Sequence, residues 1–289
     1  MVLAGVGALA LEQGDLDRAE EASAEGLELL LHEAPEPSEA KLYLLYTLGH
    51  VALEREDYSR ATEVFEESLA LSREMGNGWG LAGSVMSLAT VIHEQGNSQR
   101  ATELYEETMD LYRERGDKLG LAWCLINLGL EVYFLGDLGR AVKLTEESVS
   151  LLRELGAGAD TAVGLCNLGW MALLQNDLGR AADLYEVSLV LAWDTGMKPI
   201  VLTALEGYAC VAGAQREAQR AARLWGAAQT LQEAKGIPRD TDWLEEADAR
   251  MSAVRSGLGE QAWEEALAKG RAMTLEEAVF YALKGNGDR

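Results

Sequence analysis

The sequence predicts an all-α protein, an α-α superhelix (solenoid) of about six helical hairpins that ends in a C-terminal helical cap. Its composition is dominated by strong helix formers, with only 4 prolines and 3 phenylalanines among 289 residues. Runs of Val, Ile and Thr, which favour strands, are nearly absent. The third observation, which decides the architecture, is a self-similarity with a period of about 40 residues.

An Arg-Ala pair marks the period most clearly. The first interval between successive pairs is slightly longer than the four that follow, and those four are equal, a regularity that chance does not produce. The pairs are Arg18-Ala19, Arg60-Ala61, Arg100-Ala101, Arg140-Ala141, Arg180-Ala181 and Arg220-Ala221.

A small residue stands twelve positions before each of these alanines. Small side chains at two matching points allow two helices to cross closely, so this pairing predicts a helical hairpin. The six small residues are Gly7, Gly49, Ala89, Gly129, Gly169 and Ala209.

A short turn joins the two helices of each hairpin. The first five turns read GDLD, EDYS, GNSQ, GDLG and NDLG, and their Gly, Asn and Asp residues permit a tight reversal and can cap the next helix. The sixth turn, REAQ, lacks this chemistry. A second set of glycines, which recurs with the same period, predicts a left-handed glycine stop for the second helix of each of the last five hairpins. These are Gly76, Gly116, Gly156, Gly196 and Gly236.

These marks predict two regions, a repeat array over residues 1–236 and a capping segment over residues 237–289. An array needs an atypical end unit to cover its last apolar face, and the capping segment has helical patterns at roughly 240–256, 259–269 and 274–284. The predicted hairpins are residues 1–36, 37–77, 78–117, 118–157, 158–197 and 198–236.

Two segments resemble the tetratricopeptide repeat family in their spacing of small residues. They are NLGLEVYFLGDLGRAVKLTEESV (127–149) and NLGWMALLQNDLGRAADLYEVSL (167–189). The sequence departs from the family in its period, which is about 40 residues here and about 34 in the usual repeat. The resemblance implies a binding scaffold whose first helices line an inner surface.

The end of the chain carries a second resemblance. The phrases LWGAAQ (224–229) and GRAMTLEEAV (270–279) are similar to the C-terminal end of large bacterial transcriptional regulators of the LuxR/MalT-like class, in which an NTPase module precedes a helical repeat array. That resemblance implies a sensor or regulatory array within a larger protein, with DNA binding carried by a separate domain.

Candidate binding residues follow from helical spacing. Positions −6, −3, +1 and +4 from each small residue share one face of the first helix, and we call them the groove positions. They are strongly apolar in the middle hairpins, and the asparagines of the two NLG triplets lie beside them. The candidate set is Tyr43, Tyr46, His50, Met86, His93, Trp123, Ile126, Asn127, Leu130, Tyr133, Cys166, Asn167, Trp170 and Leu173.

Three interpretations of this apolar face are open at the sequence level. Neighbouring first helices could cover one another, so that the aromatic residues are core. The face could instead form a groove for a small-molecule effector or an apolar peptide. It could also be an interface with a protein partner or with a second copy of the chain.

The sequence argues against several other functions. A formal charge of −23 disfavours direct nucleic-acid binding, and no apolar run is long enough to span a membrane. The cysteines, Cys124, Cys166 and Cys210, have neither disulfide nor zinc spacing, which favours a cytoplasmic setting. A metal site at His50 and His93 is the less favoured interpretation of two ordinary groove histidines. No phosphate-binding loop, GxSxG or HExxH motif is present.

The predicted function is therefore a non-catalytic tetratricopeptide scaffold without cofactors, and the resemblance implies the regulatory domain of a bacterial transcriptional regulator. The alternative is a free-standing adaptor that mediates protein interaction or self-association. A hydrolase on a helical scaffold is a third interpretation, for which the sequence offers no catalytic cluster.

Overall fold

The computed structural model describes residues 2–33, 37–235 and 241–284, and every regular element in these ranges is an α-helix. The prediction of an all-α fold is confirmed. The helices are α1 Val2–Glu12, α2 Leu16–Glu33, α3 Glu39–Glu54, α4 Tyr58–Met75, α5 Gly78–Glu94, α6 Ser98–Arg115, α7 Lys118–Phe134, α8 Leu138–Glu154, α9 Gly158–Leu174, α10 Leu178–Asp194, α11 Lys198–Ala214, α12 Ala218–Lys235, α13 Thr241–Leu258, α14 Glu260–Arg271 and α15 Leu275–Lys284.

The first twelve helices follow the predicted order of helix, turn and helix, and a glycine stop follows α4, α6, α8 and α10. Each turn within a hairpin begins with a residue in the left-handed backbone region, and in three turns that residue is a glycine. The other three turns use Glu56, Asn176 and Arg216, with φ of 59°, 60° and 67°. The sixth turn, REAQ, therefore keeps the geometry although it lacks the usual turn residues, because the helices on both sides fix its ends.

The aspartate or asparagine of each of the first five turns caps the second helix, as its chemistry predicts. Asp57 and Asp177 accept hydrogen bonds from the backbone N–H groups of Arg60 and Arg180, both at 3.1 Å. The same bond recurs in the first, third and fourth hairpins. These bonds satisfy N–H groups that have no partner within the helix.

The small residues lie where the two helices of a hairpin cross. The alanine of every Arg-Ala pair has 0% exposure. A Cβ added at Gly129 would lie 2.7 Å from Oγ1 of Thr145 and 3.3 Å from the carbonyl oxygen of Ala141. The helices approach too closely for any larger side chain at these points.

The glycine stops of the second helices are confirmed wherever the chain is described. Gly76, Gly116, Gly156 and Gly196 all have φ between 63° and 73°. Gly76 and Gly116 donate their N–H groups to carbonyls of the preceding turn, which is the left-handed termination expected of glycine. The predicted stop at Gly236 lies outside the described residues.

The chain divides into two compact units, Met1–Ser148 and Val149–Arg289, and the boundary falls within α8. In the first unit each hairpin packs on the next through α2 with α3, α4 with α5 and α6 with α7. In the second unit α9 to α12 continue the same pattern and share a core with α13 to α15. The predicted division between residues 236 and 237 stays a prediction.

The C-terminal helices pack on the last hairpin. Helices α13 and α15 contact both α11 and α12, and α14 lies along α12. Helices α12 and α14 approach through two glycines. A Cβ at Gly226 would lie 2.6 Å from the carbonyl oxygen of Leu267, and one at Gly270 would overlap the carbonyl of Arg223. These glycines belong to LWGAAQ and GRAMTLEEAV, so both phrases encode this helix contact.

In the described ranges, no helix combines the length and the apolar character that crossing a bilayer requires.

The backbone contact at Gly270 gives a test of how the C-terminal helices are held. We expect Gly270→Ala to lower the free energy of unfolding by about 1–3 kcal/mol, because a backbone carbonyl cannot move aside as a side chain can. The control is Gly257→Ala, since a Cβ there meets nothing within 4 Å, and its effect should stay within about 0.5 kcal/mol. Urea unfolding followed by circular dichroism measures both. Equal effects of the two substitutions would contradict this packing.

Candidate functional site

The first compact unit contains a cavity of about 520 Å³, which we call the N-terminal cavity. Its volume lies within the roughly 300–1,000 Å³ range of ligand pockets in proteins. Helices α3, α5 and α7 and the residue that precedes α7 form its wall. The lining residues are Tyr46, His50, Leu53, Gly78, Ala82, Gly83, Met86, Ser87, Thr90, Asp117, Leu119, Gly120 and Trp123.

Groove positions of three successive hairpins meet in this cavity. Four candidate binding residues, Tyr46, His50, Met86 and Trp123, line it, and all four are half-buried. Leu53, Gly83 and Thr90, which also hold groove positions, line it as well. The first helices bring them together because each hairpin repeats the register of the one before it.

The polar part of the wall is a cluster of Tyr46, His50 and Ser87. Nε2 of His50 and Oγ of Ser87 share a hydrogen bond of 3.0 Å, and Ser87 also bonds the side chain of Tyr46. The rings of Tyr46 and His50 lie with centroids 4.3 Å apart, and the edge of Phe65 supports the imidazole from behind. The three side chains hold one another in place.

Burial keeps this cluster uncharged at neutral pH. It lowers the pKa of His50 below its usual value of 6.5, so the neutral imidazole is favoured. Burial also raises the pKa of the Tyr46 phenol, an effect that its hydrogen bond with Ser87 partly opposes. Tyr46, His50 and Ser87 therefore offer neutral hydrogen-bonding groups to the cavity.

Asp117 is the one acidic residue among those that line the cavity. Its Oδ1 accepts a hydrogen bond of 2.9 Å from the N–H of Gly120 and so caps α7. The wall next to Asp117 contains Gly78 and Gly120, and Tyr112 packs against it. The Tyr112 hydroxyl donates a hydrogen bond of 2.7 Å to the carbonyl of Gly78. A Cβ at Gly120 would overlap the ring of Tyr112.

Ser87 was missed by the sequence reasoning. It stands at offset −2, next to the groove positions and not among them, and it is only 5% exposed. A polar residue at this offset recurs as Thr47, Asn127 and Asn167, which is the signal that could have identified it.

Glu131 is a second side chain that the sequence reasoning overlooked. It is 7% exposed, at a position where the other middle hairpins carry Val or Met. Its carboxylate lies 3.3 Å from Nδ1 of His93, which is also 3.2 Å from Oγ of Ser98. Burial and the charge of Glu131 together raise the pKa of Tyr105.

His50 and His93 contact different groups, and neither shares the polar partners of the other. Across the part of the chain that the structure describes, no group of three or more His, Cys, Asp or Glu side chains is placed to hold a metal ion. Burial raises the pKa of the Cys124 and Cys210 thiols to about 12, so both stay protonated at neutral pH.

The remaining candidates of the first compact unit lie away from the cavity wall. Ile126 is core, with 2% exposure, whereas Tyr43 is 38% exposed. The side-chain amide of Asn127 donates a hydrogen bond of 2.9 Å to the carbonyl of Trp123 in its own helix. Leu130 and Tyr133 are half-buried, and the ring of Tyr133 contacts Phe134.

The candidates of the second compact unit are buried. Cys166, Asn167, Trp170 and Leu173 have exposures of 1%, 6%, 5% and 2%. The guanidinium of Arg250, from α13, lies 5.8 Å from the centre of a Trp170 ring. Self-packing, one of the three interpretations left open by the sequence, therefore describes this unit, whereas the first unit keeps an open cavity. A binding role for these four residues stays a prediction.

Comparison with known proteins supports the fold. A profile of the tetratricopeptide repeat family matches residues 81–154. The apo form of RapI superposes with a TM-score of 0.68 at 13% identity, over 99% of this chain and 98% of that one. The fold of the chain is that of a tetratricopeptide repeat array. The repeat period is longer than usual because each helical hairpin is longer, and the order of helix, turn and helix is unchanged.

Two further solved structures share the fold of the array. One is a Signal Transduction ATPase with Numerous Domains from Pyrococcus horikoshii that has a tetratricopeptide repeat sensor, with a TM-score of 0.65 and 14% identity, over 98% of this chain and 43% of that one. The other is the Rap conjugation gene regulator of plasmid pLS20 in complex with the Phr* peptide, with a TM-score of 0.65 and 13% identity, over 98% of this chain and 74% of that one.

Curated relatives match a short part of the chain. Putative HTH-type transcriptional regulators of Mycobacterium bovis and Mycobacterium tuberculosis are 34% identical over 67 residues, which is 23% of this chain. The chain spans only 8% of the length of each regulator.

The lowered pKa of the half-buried His50 should make the free energy of unfolding depend on pH. Its folded pKa lies below its usual value, so the stability that it contributes is present above about pH 6.5 and is lost as the pH falls below that value. Between about pH 7 and pH 5 we therefore expect His50→Gln to lose less unfolding free energy than the wild type, as measured by urea titration. The same pH dependence in both proteins would show that the imidazole titrates as freely in the folded state as in the unfolded state.

Proposed function

We propose that the N-terminal cavity binds an apolar segment of a peptide or protein partner, or a small-molecule effector. We further propose that the array is the sensor region of a bacterial transcriptional regulator. The observation that carries this proposal is the convergence of groove positions from three successive first helices on one open cavity. Where a partner occupies it, the array reports that occupancy to the modules with which it acts.

The chemistry of the wall supports an apolar occupant with a few hydrogen-bonding groups. Trp123 and Met86 offer a large aromatic surface and an adaptable thioether, both of which are common at recognition sites. Tyr46, His50 and Ser87 supply neutral donors and acceptors that can fix the orientation of a ligand. The formal charge of −23 disfavours nucleic acid as the direct partner.

The comparisons support a regulatory role by analogy. A protein of the same fold is a conjugation gene regulator in complex with a peptide, and another carries a tetratricopeptide repeat sensor on an ATPase. The short match to putative HTH-type regulators agrees with the resemblance of the C-terminal phrases. Each of these observations concerns another protein, and together they favour a sensor whose ligand is a peptide.

A second candidate function is a separate adaptor that joins proteins without an attached regulator. The fold is compatible with this role, because the cavity can hold a partner whether or not the array acts within a larger regulator. Both candidates use the same cavity. They differ in whether the response passes to an attached module or to a partner in trans.

A selection from a phage-displayed library of random 16-residue peptides, on the immobilised chain, tests the cavity. We expect selected peptides to bind Trp123→Ala at least about tenfold more weakly than the wild type, because truncating an aromatic anchor typically removes over 1 kcal/mol. The matched control is Trp193→Ala, which removes a 41% exposed tryptophan on α10. Fluorescence anisotropy of labelled peptides gives the affinities.

Selected peptides that bind wild type and Trp123→Ala equally would refute the cavity as the binding site. Trp170→Ala is unsuitable for this purpose. The side chain is 5% exposed, so its loss should destabilise the second compact unit by about 3–5 kcal/mol whatever the cavity binds.

A further inference from the structure

Helix α13 covers groove positions in the second compact unit. Arg250 lies over Trp170, which holds offset +1 of the fifth hairpin. A Cβ at Gly213, at offset +4 of the sixth hairpin, would lie 2.6 Å from Val254 and 3.2 Å from Met251. The second unit thus has an α-helix of the chain itself on its groove positions.

The open cavity of the first unit is built from the same register. His50 and Thr90 hold offset +1 there, as Trp170 and Cys210 do in the second unit, and Leu53 holds offset +4, as Gly213 does. Each surface is therefore built from the same positions of the repeat within its own unit. One is covered by a helix, and the other is open.

The covering helix has a simple pattern. Ala247 and Met251, four residues apart, are 6% and 3% exposed, and Val254 follows three residues later against Gly213. This spacing is the apolar stripe of an amphipathic helix that lies in a groove. Arg250 stands beside the stripe, between the ring of Trp170 and the carboxylate of Glu246, 2.8 Å away.

We propose that the occupant of the N-terminal cavity is an amphipathic α-helix with an apolar stripe at i, i+4 and i+7 and one basic residue beside it, as in α13. This inference rests on the proposed function and names the partner class of the same site. The wall of the cavity suits such a helix. Met86 and Leu53 receive the stripe, Trp123 and Tyr46 offer aromatic faces to the cation, and Asp117 supplies the negative charge.

The test uses the complete chain and an 18-residue, hydrocarbon-stapled peptide copied from residues 241–258. The peptide keeps Ala247, Arg250, Met251 and Val254, and lysines replace its outward-facing acidic residues so that the chain does not repel it. Two matched peptides carry Met251→Glu, which breaks the stripe, or, without the staple, Ala249→Pro, which breaks the helix. Binding is measured by fluorescence anisotropy of a fluorescein label.

We expect saturable binding of the stapled peptide and at least about tenfold weaker binding of both altered peptides. The protein variant Met86→Glu should weaken binding by a similar factor, because it places a charge in the apolar wall. Val190→Glu, which alters a 40% exposed valine on α10, should leave the affinity unchanged.

Three results would overturn the helix proposal. Equal binding of the proline peptide would show an extended occupant, with the cavity still a binding site. Binding that Met86→Glu leaves unchanged would place the peptide elsewhere, such as on the surface that α13 itself covers. If no form of the peptide binds while the selected peptides still depend on Trp123, the proposed function stands and the helical occupant does not.

Discussion

The close crossing of the two helices in each hairpin is the contact on which the rest of the structure depends. The alanines of the Arg-Ala pairs are fully buried, and the small residues that face them leave no room for a larger side chain. Because this contact repeats in every hairpin, each first helix has the same rotation about its axis within its hairpin. The groove positions then line up from one hairpin to the next, and a cavity can form without a binding motif in any single hairpin.

The two compact units show how one register can lead to different surfaces. In the first, the groove positions of α3, α5 and α7 enclose an open cavity with a neutral polar cluster. In the second, Cys166, Trp170, Leu173 and Cys210 are buried at the same offsets, and α13 contacts Trp170 and Gly213. Helix α13 follows the last hairpin and packs against α11 and α12, and none of the described helices of the first unit covers the N-terminal cavity in this way.

The C-terminal phrases have a structural explanation that does not require a shared function. Gly226 and Gly270 permit backbone contact between α12 and α14, so LWGAAQ and GRAMTLEEAV encode how the array is closed. Their similarity to the ends of bacterial regulators therefore indicates a common way to finish a repeat array. The regulatory role that we propose is supported by the short match to HTH-type regulators and by the cavity.

The sequence by itself determined the helices, the hairpins and their register. Arg-Ala spacing, capping Asp and Asn residues and stop glycines are local signals, and local hydrogen bonding and steric limits enforce them directly. It also placed Tyr46, His50, Met86 and Trp123 on one face. Only the tertiary structure decided which of these faces is open, because Trp170 packs against Arg250, which lies beyond the last hairpin and far from Trp170 in the sequence. Ser87 and Glu131 were not predicted for the same reason. Their hydrogen-bonding partners, His50 and His93, come from neighbouring hairpins, and the spacing of residues within one helix does not identify such partners.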